Sequence, residues 1–291
     1  MITRFEALPE CRFGLDGGAM FGIVPKPLWQ RSNPADDANR IAMTTRCLYI
    51  ECGAHRVLVD TGMGDKWSEK ERSIYAVERP AGPLRAQLAA IGVDPDTITD
   101  VVLTHLHFDH AGGLTEVGAE GAMVATFPEA THHVQRENWV WAHHPSRRDA
   151  GSYRRENFAL LGAPDGPDLV LHDGVTTLFD AIELIPCHGH TPGMQILKFD
   201  VGGQTVVYLA DLIPTLGHLQ LAWVMGYDLH PLVTVREKHE VLENAIRNDW
   251  VLAVEHDPDH GFARIERAGV EKYRVAARSA DLAGLDGPTA D

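Results

Sequence analysis

Thr104-His105-Leu106-His107-Phe108-Asp109-His110-Ala111-Gly112-Gly113 decides how this chain is read. Three imidazoles and a carboxylate fall within six residues, a spacing that few purposes other than metal binding require. Neutral imidazole nitrogens and ionised carboxylate oxygens suit zinc and related divalent cations, and a short turn can aim alternate residues at one ion and the next two at another. Upstream, Asp100-Val101-Val102-Leu103-Thr104 is a β-branched apolar run of the kind that forms a buried strand and delivers His105 at its end. Three other runs end the same way. Ala181 to Cys187 leads into His188-Gly189-His190, Thr205 to Ala210 into Asp211, and Trp250 to Val254 into Glu255-His256. Strands of a layered α/β fold present their ends along one rim, so these four loops are expected to converge there.

Composition bounds the answer. A chain of 291 residues with 44% hydrophobic content can bury a full-sized core. With 26 Lys and Arg against 41 Asp and Glu, the net charge is −15, which disfavours a nucleic-acid partner. Cys11, Cys47, Cys52 and Cys187 include no C-x-x-C pair and read as reduced, buried thiols. The N-terminal stretch lacks a continuous apolar segment and nothing later approaches a membrane span, so no membrane partner and a cytoplasmic location are expected. The segment 279–291 is small, acidic and Gly/Pro-bearing, and reads as a loosely held end.

Along the chain the elements alternate. Residues 43–52 and 56–60 read as a hairpin turning at Gly53-Ala54-His55, and Pro83 to Ile91 as a helix with Leu84, Leu88 and Ile91 on one side. Thr234-Val235-Arg236-Glu237 has the form of a capping box opening a helix whose apolar side is Val235, Leu242 and Ile246. Arg264, Arg267, Lys272, Arg274 and Arg278, scattered among acids, resemble a solvated helix. Strand-rich stretches in both halves, broken by single helices, predict an α/β fold of two mixed sheets packed face to face with helices outside. No repeat or linker divides the chain, and a single domain over 1–291 is expected.

These residues carry a resemblance. The segment Thr104 to Gly113, with Leu58-Val59-Asp60-Thr61-Gly62, Gly189-His190-Thr191-Pro192-Gly193, Ala210-Asp211 and His256, resembles the ligand series of the metallo-β-lactamase-fold hydrolases. The resemblance implies a four-layer αββα sandwich with a two-metal site at one edge of the sheets. His105, His107 and His190 would hold one ion, Asp109, His110 and His256 the other, and Asp211 would bridge both. Asp60 would orient ligands from behind, or else be a turn residue after its strand.

Departures narrow the branch. Asp211 stands where one class of β-lactamases has a cysteine, His107 where the flavodiiron branch has an acid, and no basic clamp of the glutathione thioester hydrolases is evident. The stretch from Asp211 to Thr215, with His218, Trp223 and Met225-Gly226-Tyr227-Asp228, is similar to quorum-quenching lactonases of this fold. N-acyl-homoserine lactonases place a tyrosine three residues after the bridging aspartate, and here that position is Pro214. Tyr227 and His218 are the candidates for its role, each also readable as a packed wall residue.

Two cations that share a water lower its pKa toward neutrality and supply hydroxide at pH 7. That hydroxide would attack a lactone or ester carbonyl, with Asp109 as proton shuttle. Zinc is the expected metal, with manganese, cobalt or iron as substitutes. His188 is expected behind the ligands. Apolar side chains at 63–80 (Met63, Trp67, Ile74, Tyr75), at 138–158 (Trp139, Trp141, Tyr153, Phe158) and after Asp211 (Leu216, Leu219, Trp223, Met225) would supply walls for an apolar lactone or ester substrate, or cover the core. The 63–80 region could also make a homodimer. Alternatives are a phosphotriesterase or aryl-ester hydrolase, a glutathione thioester hydrolase and a non-catalytic metal-binding protein.

Overall fold

The structure, a computed structural model, describes residues 1–286. In chain order its strands are β1 (Ile2–Asp16), β2 (Arg40–Cys52), β3 (His55–Val59), β4 (Asp100–Val102), β5 (Thr115–Val117), β6 (Met123–Ala125), β7 (Thr131–Gln135), β8 (Leu169–His172), β9 (Thr176–Leu178), β10 (Ile182–Cys187), β11 (Met194–Val201), β12 (Gln204–Tyr208), β13 (Val251–Ala253), β14 (Phe262–Gly269) and β15 (Lys272–Ser279). One sheet has the order β1-β2-β3-β4-β7-β8, the other β15-β14-β13-β12-β11-β10-β9, and β5 pairs with β6 alone. Both large sheets are mixed. The first is antiparallel through β3 and parallel beyond it, and the second has one parallel pair, β12 with β13.

Side-chain alternation produces the layers. On β2 and β3, Leu48, Ile50, Val57 and Val59 face a buried cluster that also contains Leu184, Leu197, Val206, Tyr208 and Val251 of the other sheet. Their neighbours Cys47, Tyr49 and Leu58 face the opposite way, onto Leu84 and Leu88 of the helix Leu84–Ala90 and Ala142 of the helix Arg136–His143. In the second sheet Ile196, Val207 and Leu252 turn outward onto Leu242 and Ala245 of the helix Pro231–Asn248. Three apolar cores separate four layers, because central strands such as β2, β4, β12 and β13 bury both of their faces. The expected two-sheet architecture is therefore present.

Two local expectations are corrected. The helix 231–248 opens at Pro231, three residues before Thr234, and has no side-chain cap. Proline at the first helical position has its φ preset and lacks an amide that would need a partner, so it starts the helix where a capping box was expected. Glu237 is thereby free to accept from the backbone N–H groups of His188 and Gly189 at 2.8 and 3.1 Å. The basic C-terminal segment forms the β14–β15 hairpin, not a helix. Tyr273, Val275 and Ala277 recur every second residue and turn toward the cores, while Arg274 and Arg267 pair with Glu266 and Glu243. Of the end 279–291, Ser279 closes β15 and Leu285 is buried between the sheets; the expectation for 287–291 lies outside the described residues.

No helix among the described residues is long and apolar enough to cross a membrane. All four cysteines are free and buried.

His132 on β7 is a buried imidazole whose Nδ1 meets the Ala130 carbonyl at 3.0 Å. Burial pushes its pKa down to about 4. The unfolded chain, with a histidine near 6.5, takes up that proton first, so the associated stability is complete above pH 6.5 and is lost as pH falls toward 4. Urea unfolding across this window should show a His132→Phe chain losing less stability than the wild type, by up to about 3 kcal/mol. Parallel pH profiles would remove His132 from this role.

Candidate metal centre

The site lies where the strands end. His105 follows β4, His190 follows β10, Asp211 follows β12, and His256 follows β13. Asp109 and His110 lie on one turn of helix, Phe108–Ala111, immediately beyond His107. That turn is held by close backbone contact. A Cβ on Gly112 would come within 2.1 Å of the Met63 carbonyl oxygen, and one on Gly64, whose φ is +64°, within 2.0 Å of the Gly112 oxygen. Only glycine lets these two loops approach so closely.

Seven side chains meet in two groups. His105, His107, His190 and Asp211 bring one donor atom each within 4.8 Å of one another, as do Asp109, His110 and His256. In the first group, His107 Nδ1 is 3.0 Å from His105 Nε2 and 3.1 Å from His190 Nε2. In the second, His256 Nε2 and His110 Nε2 are 3.3 Å apart, and Asp109 lies 3.8 Å from each ring. Asp211 touches both groups. Its Oδ2 is 3.1 Å from His190 Nε2 and 3.7 Å from His110 Nε2, and its Oδ1 is 2.9 Å from His256 Nε2.

Partners behind the rings choose which nitrogen points inward. His190 Nδ1 meets Asp228 Oδ1 at 2.9 Å, His256 Nδ1 the Thr44 carbonyl at 2.8 Å, His110 Nδ1 the Asp60 carboxylate at 3.1 Å, and His105 Nδ1 the Thr104 hydroxyl at 3.1 Å. Each leaves Nε2 facing the centre. His107 is turned the other way, Nδ1 inward, with its buried Nε2 lacking any hydrogen-bond partner. Asp60, at φ +54°, accepts from both the amide and the hydroxyl of Thr104 at 2.7 Å. It is at once a turn residue and the group that ties His110 to the β4 end.

The donor set fits divalent cations. Nitrogens on one zinc ion at ~2.0–2.1 Å stand roughly 3.3 Å apart, close to the spacings found here. Imidazole nitrogens facing one another cannot all donate, so their lone pairs need a cation. Electrostatics say the same. Burial, then the neighbouring rings, holds His105 and His107 well below their ordinary pKa. Burial acts downward on His190 and His256 too, but Asp211 outweighs it and raises them to about 10 and about 9. Burial would raise Asp211, and the His256 and His190 charges hold it well below the carboxylate range. The protons on these two rings occupy the place of metal charge, and metal uptake must release them.

The supporting roles of several residues are not evident in the sequence. Asn138 accepts from the Leu106 amide at 3.0 Å and donates to the Pro192 carbonyl at 2.9 Å, joining the two histidine loops. Tyr153 sets its ring against His107, centroids 4.6 Å apart, and its hydroxyl meets Thr191 at 2.6 Å. Glu255 is fully buried 3.1 Å from His110 Nδ1, and burial pushes its carboxyl up to about 7. Asp228 stands in the Met225-Gly226-Tyr227-Asp228 stretch, whose spacing alone does not reveal its bond to His190.

Above the centre lies a cavity of about 510 Å³, lined among others by Met20, Met43, Phe108, Met225 and Tyr227. Tyr227 therefore faces the space over the centre, and burial pushes its phenol up to about 12. His218 does not line the cavity. Its ring stacks on Phe21 at 4.1 Å, and its nitrogens meet the Thr215 hydroxyl at 2.8 Å and the Met20 carbonyl at 2.9 Å. With both nitrogens occupied and burial driving its pKa down to about 3, His218 packs behind the cavity lining and does not reach the space over the centre. His188 lies away from the centre, paired with Glu137 at 2.9 Å. Of the apolar loop residues, only Tyr75 and Met225 reach the cavity, while Trp139, Trp141, Tyr153 and Phe158 pack in the outer core.

Replacing Asp228 by Ala removes the acceptor that holds His190, and metal affinity in a chelator competition should fall about 10- to 100-fold. Unaltered affinity would mean that the His190 ring is set by its loop alone.

The chain is similar to a protein of Agrobacterium fabrum named N-acyl homoserine lactonase AttM, with 31% identity over 192 residues covering 62% of this chain and 66% of that protein, just under two thirds of its length. Among solved structures, a probable metal-dependent hydrolase from Staphylococcus aureus superposes with a TM-score of 0.84 at 28% identity, covering 96% of this chain and 97% of the other. AidC, a dizinc quorum-quenching lactonase in complex with a product, shares the fold with a TM-score of 0.72 at 19% identity, over 94% and 95% of the two chains. The sequence profile of the Metallo-beta-lactamase superfamily matches residues 42–280, and the chain belongs to that superfamily of hydrolases.

Proposed function

We propose that this chain is a dinuclear metal-dependent hydrolase that opens lactones or related esters, with N-acyl-homoserine lactones as the leading substrates. The observation that carries the reading is Asp211. One carboxylate, buried at the cavity floor, reaches His190 with one oxygen and His256 with the other. In this reading His105, His107 and His190 hold one cation, Asp109, His110 and His256 the other, and Asp211 joins them. Zinc suits the nitrogen-rich set, and manganese, cobalt or iron are substitutes.

Two divalent cations bound there would polarise a carbonyl and make water acidic enough to serve as nucleophile near neutral pH. The chain's own residues do the rest. Asp109 lines the cavity beside His110 and His256 and can receive a proton and return it to the departing alkoxide. Tyr227 keeps its phenolic proton at neutral pH and can donate it as a hydrogen bond to an oxygen that gains charge. Met20, Met43 and Met225 offer an apolar, adaptable wall to the alkyl part of the substrate. The lactonase name of AttM and the N-hexnoyl-L-homoserine product carried by AidC support this substrate class.

Metal analysis should find about two equivalents per chain, and hydrolysis should stop on chelation and return with zinc. Asp211→Ala should lose metal and at least about 100-fold in kcat/KM together. The same loaded enzyme, offered an acyl-homoserine lactone and a paraoxon-type phosphotriester, should prefer the lactone. Undiminished turnover in the Asp211 variant, or cleavage by metal-free protein, contradicts the reading.

A further inference from the structure

Arg46 on β2 is a charged side chain, 5% exposed, that neither lines the cavity nor belongs to the ligand groups. Its guanidinium reaches the loop that follows β13. One nitrogen donates to the Val254 carbonyl at 2.6 Å and to the Glu255 carbonyl at 3.1 Å, and another donates to the Asp257 carbonyl at 2.9 Å. These three carbonyls flank His256 on both sides. The carbonyl of His256 itself accepts from the Thr44 amide of the same strand at 3.2 Å. Every carbonyl from Val254 to Asp257 is thus held by β2, a strand of the other sheet.

Few side chains could replace it. The planar fork of an arginine carries several N–H donors and a charge that pH does not remove, so it serves more than one carbonyl of a turn from a fixed direction. An apolar side chain could bury β2 as well, but it would leave three carbonyls of this turn without donors. The consequence falls on one group of ligands. His256 Nε2 lies 3.3 Å from His110 Nε2 and 2.9 Å from Asp211 Oδ1, and its ring projects from the turn that Arg46 holds. The loops that bear His105, His107 and His190 are fastened instead by Asn138 and Glu237, and no hydrogen bond of the Arg46 side chain goes to them.

We propose that Arg46 is a positioning residue for the cation held by Asp109, His110 and His256. It sets the turn from which His256 projects, so the affinity for this ion depends on a guanidinium that touches neither ion nor substrate. The inference rests on the two-ion reading and adds to it the residue on which only one of the two sites depends.

The test is a stepwise zinc titration against a competing chelator, with wild type, Arg46→Met and Arg46→Lys as full chains. Wild type should take up about two equivalents. Arg46→Met should bind one of them as wild type does and the other about 10- to 100-fold more weakly, and Arg46→Lys, which keeps the charge without the fork, should restore part of the loss. Hydrolysis by Arg46→Met should lose kcat at stoichiometric zinc and regain it in excess zinc, with KM unchanged, a response that a generally loosened fold does not give. In an Asp109→Ala background, which already lacks a ligand to this ion, Arg46→Met should leave the remaining equivalent as tight as before. Both equivalents weakened alike, neither weakened, or a loosened remaining equivalent in that background overturns the proposal and leaves the two-ion reading intact. If Arg46→Met does not fold, Arg46→Lys decides by the same criteria, with a smaller loss confined to one equivalent. A wild type that binds a single equivalent overturns both readings.

Discussion

The buried carboxylate of Asp211, shared by two groups of imidazoles, is the constraint around which the rest of this structure is arranged. An ion removed from water costs several kcal/mol unless opposite charge stands beside it. Here the opposite charge cannot come from fixed cations, because the nearest groups are histidines whose nitrogens also face one another. Without ions, protons on His190 and His256 offset that charge, and ions would displace them. A collection of lone pairs held this closely fits divalent cations.

Holding it requires rigidity behind every ligand. Four of the five rings are fixed by a second hydrogen bond, and those contacts come from all parts of the chain: Thr44 from β2, Asp60 from the end of β3, Asp228 from the loop before the long helix. The helix Pro231–Asn248 acts on two loops at once. Glu237 binds the amides before His190, and the buried Lys238 ammonium donates to the carbonyls of His218, Gln220 and Trp223 at 2.7–2.9 Å, fixing the segment that follows Asp211. A charged group with three backbone acceptors in the interior is a strong local tie, since any one acceptor left alone would be unsatisfied. His218 belongs to this packing, which explains why a histidine seven residues beyond Asp211 never reaches the cavity.

How far the sequence was readable follows from the range of each signal. The β4, β10, β12 and β13 strands were legible because apolar, often β-branched runs end at chemically distinctive residues. The β14–β15 hairpin was not, since its arginines and glutamates drew attention to charge while the alternation of Tyr273, Val275 and Ala277 carried the structure. The Thr234-to-Glu237 pattern also misled, because Pro231 sets the start of the helix and Glu237 has a tertiary partner that no local rule contains. Aromatic residues of the loops were ambiguous for a physical reason: a large apolar ring serves a core as well as a cavity wall, and only packing tells which.

By itself the sequence determined the donor set and the strand ends that carry it, because a lone pair belongs to a residue type and His105 to His110 lie within one local turn. Tertiary structure decided which nitrogen of each ring turns inward, that His107 is reversed, that Asp211 touches both groups, and that Tyr227 faces the space above them. These depend on contacts such as His256 with Thr44, 212 positions apart, where no spacing rule operates and only the packing of the two sheets sets the distance.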